Sequence, residues 1–168
     1  MPQSIVVMGV SGAGKSSIGQ ALATQLGAHF VDGDTLHPEA NVKKMASGVP
    51  LTDDDRWPWL HLVGTKLSTS SGNGTIVACS ALKRSYRDAI RKAAPATTFI
   101  LLQADRTALQ DRLTQRPGHF MPASLLTSQL DTLEELQNDE SGLMIESTGG
   151  VDTTVVRIRK LLERSAAD

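Results

Sequence analysis

Residues Gly9-Val10-Ser11-Gly12-Ala13-Gly14-Lys15-Ser16 match the spacing GxxxxGK[ST]. Each residue type has a reason to be there. Glycines allow backbone N–H groups to converge on phosphate oxygens. A helix opening at the lysine aims its positive end at the same point. Lys15 can neutralise β- and γ-phosphates, and the Ser16 hydroxyl can ligate Mg²⁺. Residues Gly9 to Ser16 are therefore the expected phosphate loop of a nucleotide site, with the apolar run 5–8 ahead of it and an amphipathic pattern behind it.

Other residues could supply the rest of a group-transfer site. Asp32-Gly33-Asp34 follows an apolar stretch and should sit at the carboxyl end of a sheet, where α/β ligands bind. One of the two carboxylates, Asp32 or Asp34, could accept a proton from an acceptor hydroxyl, and the other could organise Mg²⁺ through water. Arg112 and Arg116 are four apart, so one helix face could present both as a phosphate clamp. Pro117-Gly118 could hinge a small lid over about 112–122. Between Asp34 and Arg91 polar side chains are dense: His37, Asn41, Lys44, Asp54, Arg56, Ser80, Lys83 and Arg87. Lys83 and Arg87, also i and i+4, would suit a carboxylate on the acceptor. Trp57 and Trp59 read as packing anchors and Cys79 as a small buried strand residue.

These groups need a scaffold, and the hydrophobic pattern provides one. Apolar runs at 5–8, 29–31, 75–79, 98–102 and 143–145 read as five strands. Helical spacing links Ile18, Leu22 and Leu26, with Gly27 as a stop. Pro38 suits a helix start, with Val42 and Met45 as the buried side and an end near Gly48. Thr52 reads as an N-cap ahead of Asp53-Asp54-Asp55, for a helix carrying Trp57, Leu60, Val63 and Leu67. Further helices are expected over 83–93, after Asp105, through Leu125 to Leu133, and after Asp152 as a cap. Alternating strands and helices predict an α/β fold: a parallel five-stranded sheet with helices on both faces.

Composition narrows the function class. The 168 residues are 40% hydrophobic and 21% charged, which fits one folded globular domain. A net charge of −1 offers no global basic excess for a nucleic-acid partner. One cysteine allows no intrachain disulfide, so a cytoplasmic location is expected. No apolar run approaches a membrane span, and Met1-Pro2-Gln3-Ser4 lacks the cationic start of a secretory signal. No Asn-Lys-x-Asp guanine motif occurs. Asp139-Glu140-Ser141-Gly142 fits DxxG, but reads as a solvated loop. Large ATPase machines need more chain. A small-molecule kinase remains, with shikimate or nucleoside-monophosphate kinases as near rivals. A slow, acceptor-independent ATPase with a regulatory role is the rival of a different class.

Four stretches carry a resemblance: GVSGAGKSS, DGDTLHPEANVKKMASGVPLTDDDRWPWL, CSALKRSYRDAIR and RPGHFMPASLLTSQLDTLE. Through them the chain resembles the bacterial gluconokinase family. The middle two are more diagnostic than the phosphate loop, which many families share. The resemblance implies a P-loop NTPase fold like that of nucleoside-monophosphate kinases, a cytoplasmic and often homodimeric protein, and ATP-dependent phosphorylation of D-gluconate at its C6 hydroxyl. It further implies that Gly9 to Ser17 hold ATP, that Asp34 lies by the acceptor hydroxyl, which leaves Asp32 to organise Mg²⁺, and that His37, Lys44, Arg56, Lys83 and Arg87 lie on the gluconate side. Arg112, Arg116 and His119 would belong to the lid. One departure is visible: Thr132-Leu133-Glu134-Glu135-Leu136 stands where the family often reads TLEEP. Its expected effect is on how a helix ends. Adenine is expected near 148–152 by fold analogy.

Overall fold

A computed structural model of the chain describes residues 3–115 and 123–168. Five parallel strands form the sheet: β1 (Gln3–Met8), β2 (His29–Asp32), β3 (Gly74–Ala78), β4 (Thr98–Gln103) and β5 (Gly142–Glu146). Their order across the sheet is β2-β3-β1-β4-β5. The central strand β1 pairs Ile5 with Ile76 on one side and with Thr98 on the other. Among the described residues, seven α-helices accompany it: α1 (Lys15–Leu26), α2 (Glu39–Ala46), α3 (Asp53–Ser68), α4 (Arg84–Ala93), α5 (Arg106–Thr114), α6 (Ala123–Thr132) and α7 (Val151–Ala167). A 3-10 helix, Gly33–Leu36, follows β2.

Strands buried on both faces need apolar residues at successive positions, and the period-two alternation then feeds two cores. Ile5, Val7, Ile76 and Ile100 point to one side, where they meet Ile18 and Leu22 of α1, Leu109 of α5, and Val155 and Ile158 of α7. Val6, Met8, Val77, Phe99 and Leu101 point to the other, against Trp59, Leu60 and Val63 of α3 and Ile90 of α4. The sheet is thereby held from both faces, and its carboxyl edge collects the turns that carry the chemistry. Among the described residues, no helix is long and apolar enough to cross a membrane.

Thr52 caps α3 as expected. Its hydroxyl accepts from Asp55 N at 3.2 Å, and the Asp55 carboxylate accepts from Thr52 N at 2.8 Å, a reciprocal box. Three expectations fail, and a fourth holds only in part. Val42 and Met45 are 50% and 43% exposed. The short α2 instead buries Asn41, because it rests on α3 through hydrogen bonds and not through an apolar stripe. Asp152 is not the cap of α7: Gly150 is, in a conformation with φ 90° that favours glycine, and Asp152 lies in the first turn. Trp57 is partly exposed, edge-on to Tyr86, while Trp59 is the buried anchor. The segment 139–142 is a solvated loop only in part: Asp139 and Ser141 are exposed. Glu140 is buried there, and Gly142 begins β5. The altered TLEEP position, Leu136, packs against the second core just beyond α6.

Candidate active site

The phosphate loop joins β1 to α1. Gly14 adopts φ 94° directly before Lys15, a left-handed conformation that side chains disfavour. The chain can thus turn sharply and present the N-terminus of α1 to the loop's interior. Lys15 Nζ donates to Val10 O at 3.1 Å, so the ammonium arches back over the loop. The Ser11 N–H donates to Gln129 Oε1 of α6 at 2.7 Å. A side-chain oxygen from 118 residues away thus engages an amide of the phosphate loop. Beside the loop lies a cleft of about 230 Å³, bordered by Gly12, Gly14, Ser17, Arg112, Ser147 and Gly150. The cleft reaches the 148–152 turn expected for adenine, through Gly150 and Val151.

Arg112 of α5 spans the cleft. Its Nη1 donates to Gly12 O at 3.1 Å, Ala13 O at 3.3 Å and Ser147 Oγ at 3.1 Å, and its Nη2 donates to Ser147 O at 2.7 Å. The guanidinium is therefore held at the loop by backbone carbonyls. Arg116 and His119, and most of the expected lid, lie outside the described residues.

The acidic pair sits across the sheet edge. Asp32 ends β2, and its Oδ1 accepts from Asp34 N at 3.0 Å, capping the 3-10 helix. Gly33 is required between them: a Cβ there would stand 2.5 Å from Ala78 O of β3. Asp34 is exposed. Cys79 is buried beyond β3, and burial pushes its thiol up to about 12, with Asp34 and Asp32 adding to the shift and Lys15 opposing it. A thiol so raised is not a nucleophile at neutral pH. Asp32 and Asp34 lie at the carboxyl end of β2 and Lys15 follows that of β1, the two parallel strands on either side of β3.

α3 and α4 bring cations together. Tyr86 donates to Asp53 Oδ1 at 2.5 Å. Lys83 Nζ lies 3.6 Å from Asp53 Oδ2, and Arg56 Nη1 lies 3.4 Å from the Tyr86 hydroxyl. Both cations also cover the Tyr86 ring, at 5.4 and 5.6 Å from its centroid. The hydrogen bond from Tyr86 is the chief cause that holds Asp53 below the usual carboxylate range. Lys44 pairs with Asp55 at 2.6 Å, a bond that, with the Thr52 contacts, brings Asp55 down to about 2. His37 stacks on Trp59 with ring centroids 4.1 Å apart.

Arg87 does not join this group. It is 0% exposed, and its Nε and Nη2 donate to Glu140 at 2.7 and 3.0 Å. Nη1 donates to Ala81 O at 3.1 Å. Arg87 is a structural cation: its donors are engaged by Glu140 and by carbonyls of the turn after β3. That turn holds Ala81 at φ 44° and places Ser80 O on the Gly9 N–H at 3.3 Å. The i, i+4 reading with Lys83 fails because Lys83 caps α4 and does not belong to its face. Tyr86, Asp53, Gln129 and Glu140 join the site and its supports without a signal in the sequence. Their partners are distant in the chain, so no local spacing marks them.

Comparison with known proteins identifies the family. A family model described as an AAA domain matches residues 5–136. The chain is 52% identical over 141 residues to a gluconokinase of Gluconobacter oxydans, covering 83% of this chain and 79% of that protein. It is 41% identical over 162 residues to the thermoresistant gluconokinase of Escherichia coli, covering 92% and 93%. The crystal structure of a gluconokinase from Sinorhizobium meliloti superposes with a TM-score of 0.83 at 44% identity, covering 98% of this chain and 97% of that one. A shikimate kinase from Aquifex aeolicus, at 13% identity and a TM-score of 0.66, shares the fold. The chain belongs to the gluconokinase family of P-loop kinases.

Proposed function

We propose that this protein transfers the γ-phosphoryl group of ATP to the C6 hydroxyl of D-gluconate, releasing ADP and 6-phospho-D-gluconate. The observation that carries the reading is a phosphate loop and an Arg56–Lys83 cation pair gathered around Tyr86 and Asp53 in a chain closely related to gluconokinases. The loop amides and Lys15 bind the phosphates. Arg56 and Lys83 receive the carboxylate of the sugar acid, with His37 and Lys44 flanking it, which leaves the far hydroxyl at Asp34. Asp34 takes the proton of that hydroxyl as its oxygen bonds to phosphorus and the bond from phosphorus to the ADP oxygen breaks. Arg112, released from the loop carbonyls, and Arg116 stabilise charge on the transferring group.

Among the described residues no cluster of three or more His, Cys, Asp or Glu side chains could hold a metal alone. The donors at the loop and at the end of β2, a hydroxyl and a carboxylate, are hard oxygen ligands of the kind that fits Mg²⁺, which keeps several waters and shares its sites with phosphate oxygens. Ser16 directly and Asp32 through water would hold it, and it supplies positive charge to the β- and γ-phosphates.

The test is ADP release from Mg-ATP with D-gluconate, related sugar acids, shikimate, neutral sugars and nucleoside monophosphates. We expect strong dependence on gluconate alone. Preference for another acceptor would overturn the substrate, and acceptor-independent turnover would overturn the kinase reading.

A further inference from the structure

Asn41, 5% exposed, is the buried polar residue of α2. Its Nδ2 lies 2.9 Å from Asp55 O and 3.2 Å from His37 Nδ1. A backbone carbonyl can only accept, so the atom facing it is the amide NH₂, and that nitrogen can only donate. His37 Nδ1 must therefore present its lone pair. A neutral imidazole with a bare Nδ1 carries its proton on Nε2. The ring's plane is fixed as well. It stacks on Trp59 at an interplanar angle of 17°, and Trp59 Nε1 donates to Gly33 O at 2.8 Å, between Asp32 and Asp34. A second proton on the ring would put an Nδ1–H against the Asn41 NH₂ and break this contact.

The surrounding charges favour the neutral ring. Burial lowers the His37 pKa most, Asp34 of the 3-10 helix opposes it, and Arg56 of α3 lowers it further. The other charged groups near Asn41, Lys44 of α2 and Asp55 of α3, are paired with each other.

We propose that Asn41 is a positioning residue that locks His37 as the neutral Nε2–H tautomer, so that His37 donates a hydrogen bond to an oxygen of the sugar acid and takes no part as a base. The inference rests on the acceptor-site reading above and divides its labour: His37 orients, and Asp34 receives the proton. It also gives the buried polar face of α2 a function.

The test uses the whole protein with ¹⁵N-labelled histidine. Imidazole ¹⁵N NMR at pH 7 reads the tautomer without turnover. We expect His37 neutral and protonated at Nε2. An Nδ1–H tautomer or an imidazolium at that pH would overturn the proposal. Asn41→Asp replaces the donor with a carboxylate that accepts from Nδ1–H. We expect it to move the His37 proton to Nδ1 or to charge the ring, and to raise the KM for gluconate about 10-fold or more with a much smaller change in kcat. Asn41→Leu, which removes the donor without adding charge, should raise the same KM while leaving the KM for ATP unaffected. An unchanged tautomer in Asn41→Asp, or an unchanged gluconate KM in both folded variants, would overturn the proposal. If the wild-type protein does not phosphorylate gluconate, the acceptor reading falls, and the tautomer measurement still decides the Asn41 lock.

Discussion

Replacing Glu140 with glutamine should strip a buried arginine of its counter-charge and destabilise the whole fold. Glu140 accepts four bonds: from Arg87 Nε at 2.7 Å and Nη2 at 3.0 Å, from Arg91 Nη2 at 2.5 Å, and from Gln137 N at 2.8 Å. Its side chain and that of Arg87 are both fully buried. Removing the carboxylate charge leaves the Arg87 guanidinium buried and uncompensated, which costs about 3–5 kcal/mol. The titration points the same way: burial alone would raise the Glu140 pKa, but the bonds from Arg87, Gln137 and Arg91 bring it from 4.5 down to about 2. With an unfolding entropy of about 2.1 cal/mol/K per residue over 168 residues, the Tm should fall by about 9–14 °C. The assay is urea unfolding of wild type and Glu140→Gln, checked by calorimetry. We expect a lower midpoint at unchanged slope. A loss under about 1 kcal/mol would refute the reasoning, because it would mean the pair behaves as an exposed one. The pH dependence has a defined sign. The Glu140 carboxylate has a lowered pKa, so its contribution is complete above about 4.5 and is lost as pH falls toward about 2.

Other perturbations probe the site and its supports. Lys15→Ala should lower kcat by about 100-fold or more, with the Tm nearly unchanged; near wild-type turnover would remove Lys15 from the chemistry. Asp34→Asn should lower kcat by about 100- to 10,000-fold, and an unchanged kcat would remove the proposed base. Thr52→Ala breaks the reciprocal cap of α3 and should cost about 1 kcal/mol in denaturant unfolding; no loss would show that Asp55 N and the Asp55 carboxylate find other partners.

Much of the architecture could be read from local pattern. The phosphate loop is eight consecutive residues, and the strands are continuous apolar runs, so both signals survive without tertiary context. The Thr52 cap is legible for the same reason: its partner is three residues away. The failures share a physical cause. Val42 and Met45 have helical spacing, but α2 is a short helix held by Asn41, so spacing alone misassigns its buried side. Arg87 reads as one of the acceptor-site cations until Glu140, 53 residues on, is folded against it. Tyr86 and Gln129 act through partners 33 and 118 residues away, which no window along the chain can show. Of the expected acceptor-side residues, Arg56 and Lys83 do converge, and they do so through Tyr86 and Asp53.

The most direct measurement is NMR of the product formed from Mg-ATP and D-gluconate, with ADP counted in parallel. We expect one ADP per sugar acid consumed and the phosphate coupled to C6. Phosphate on another carbon would contradict the placement of the far hydroxyl at Asp34. ADP formed without any phosphorylated sugar acid would contradict the central claim that this site is a gluconate kinase.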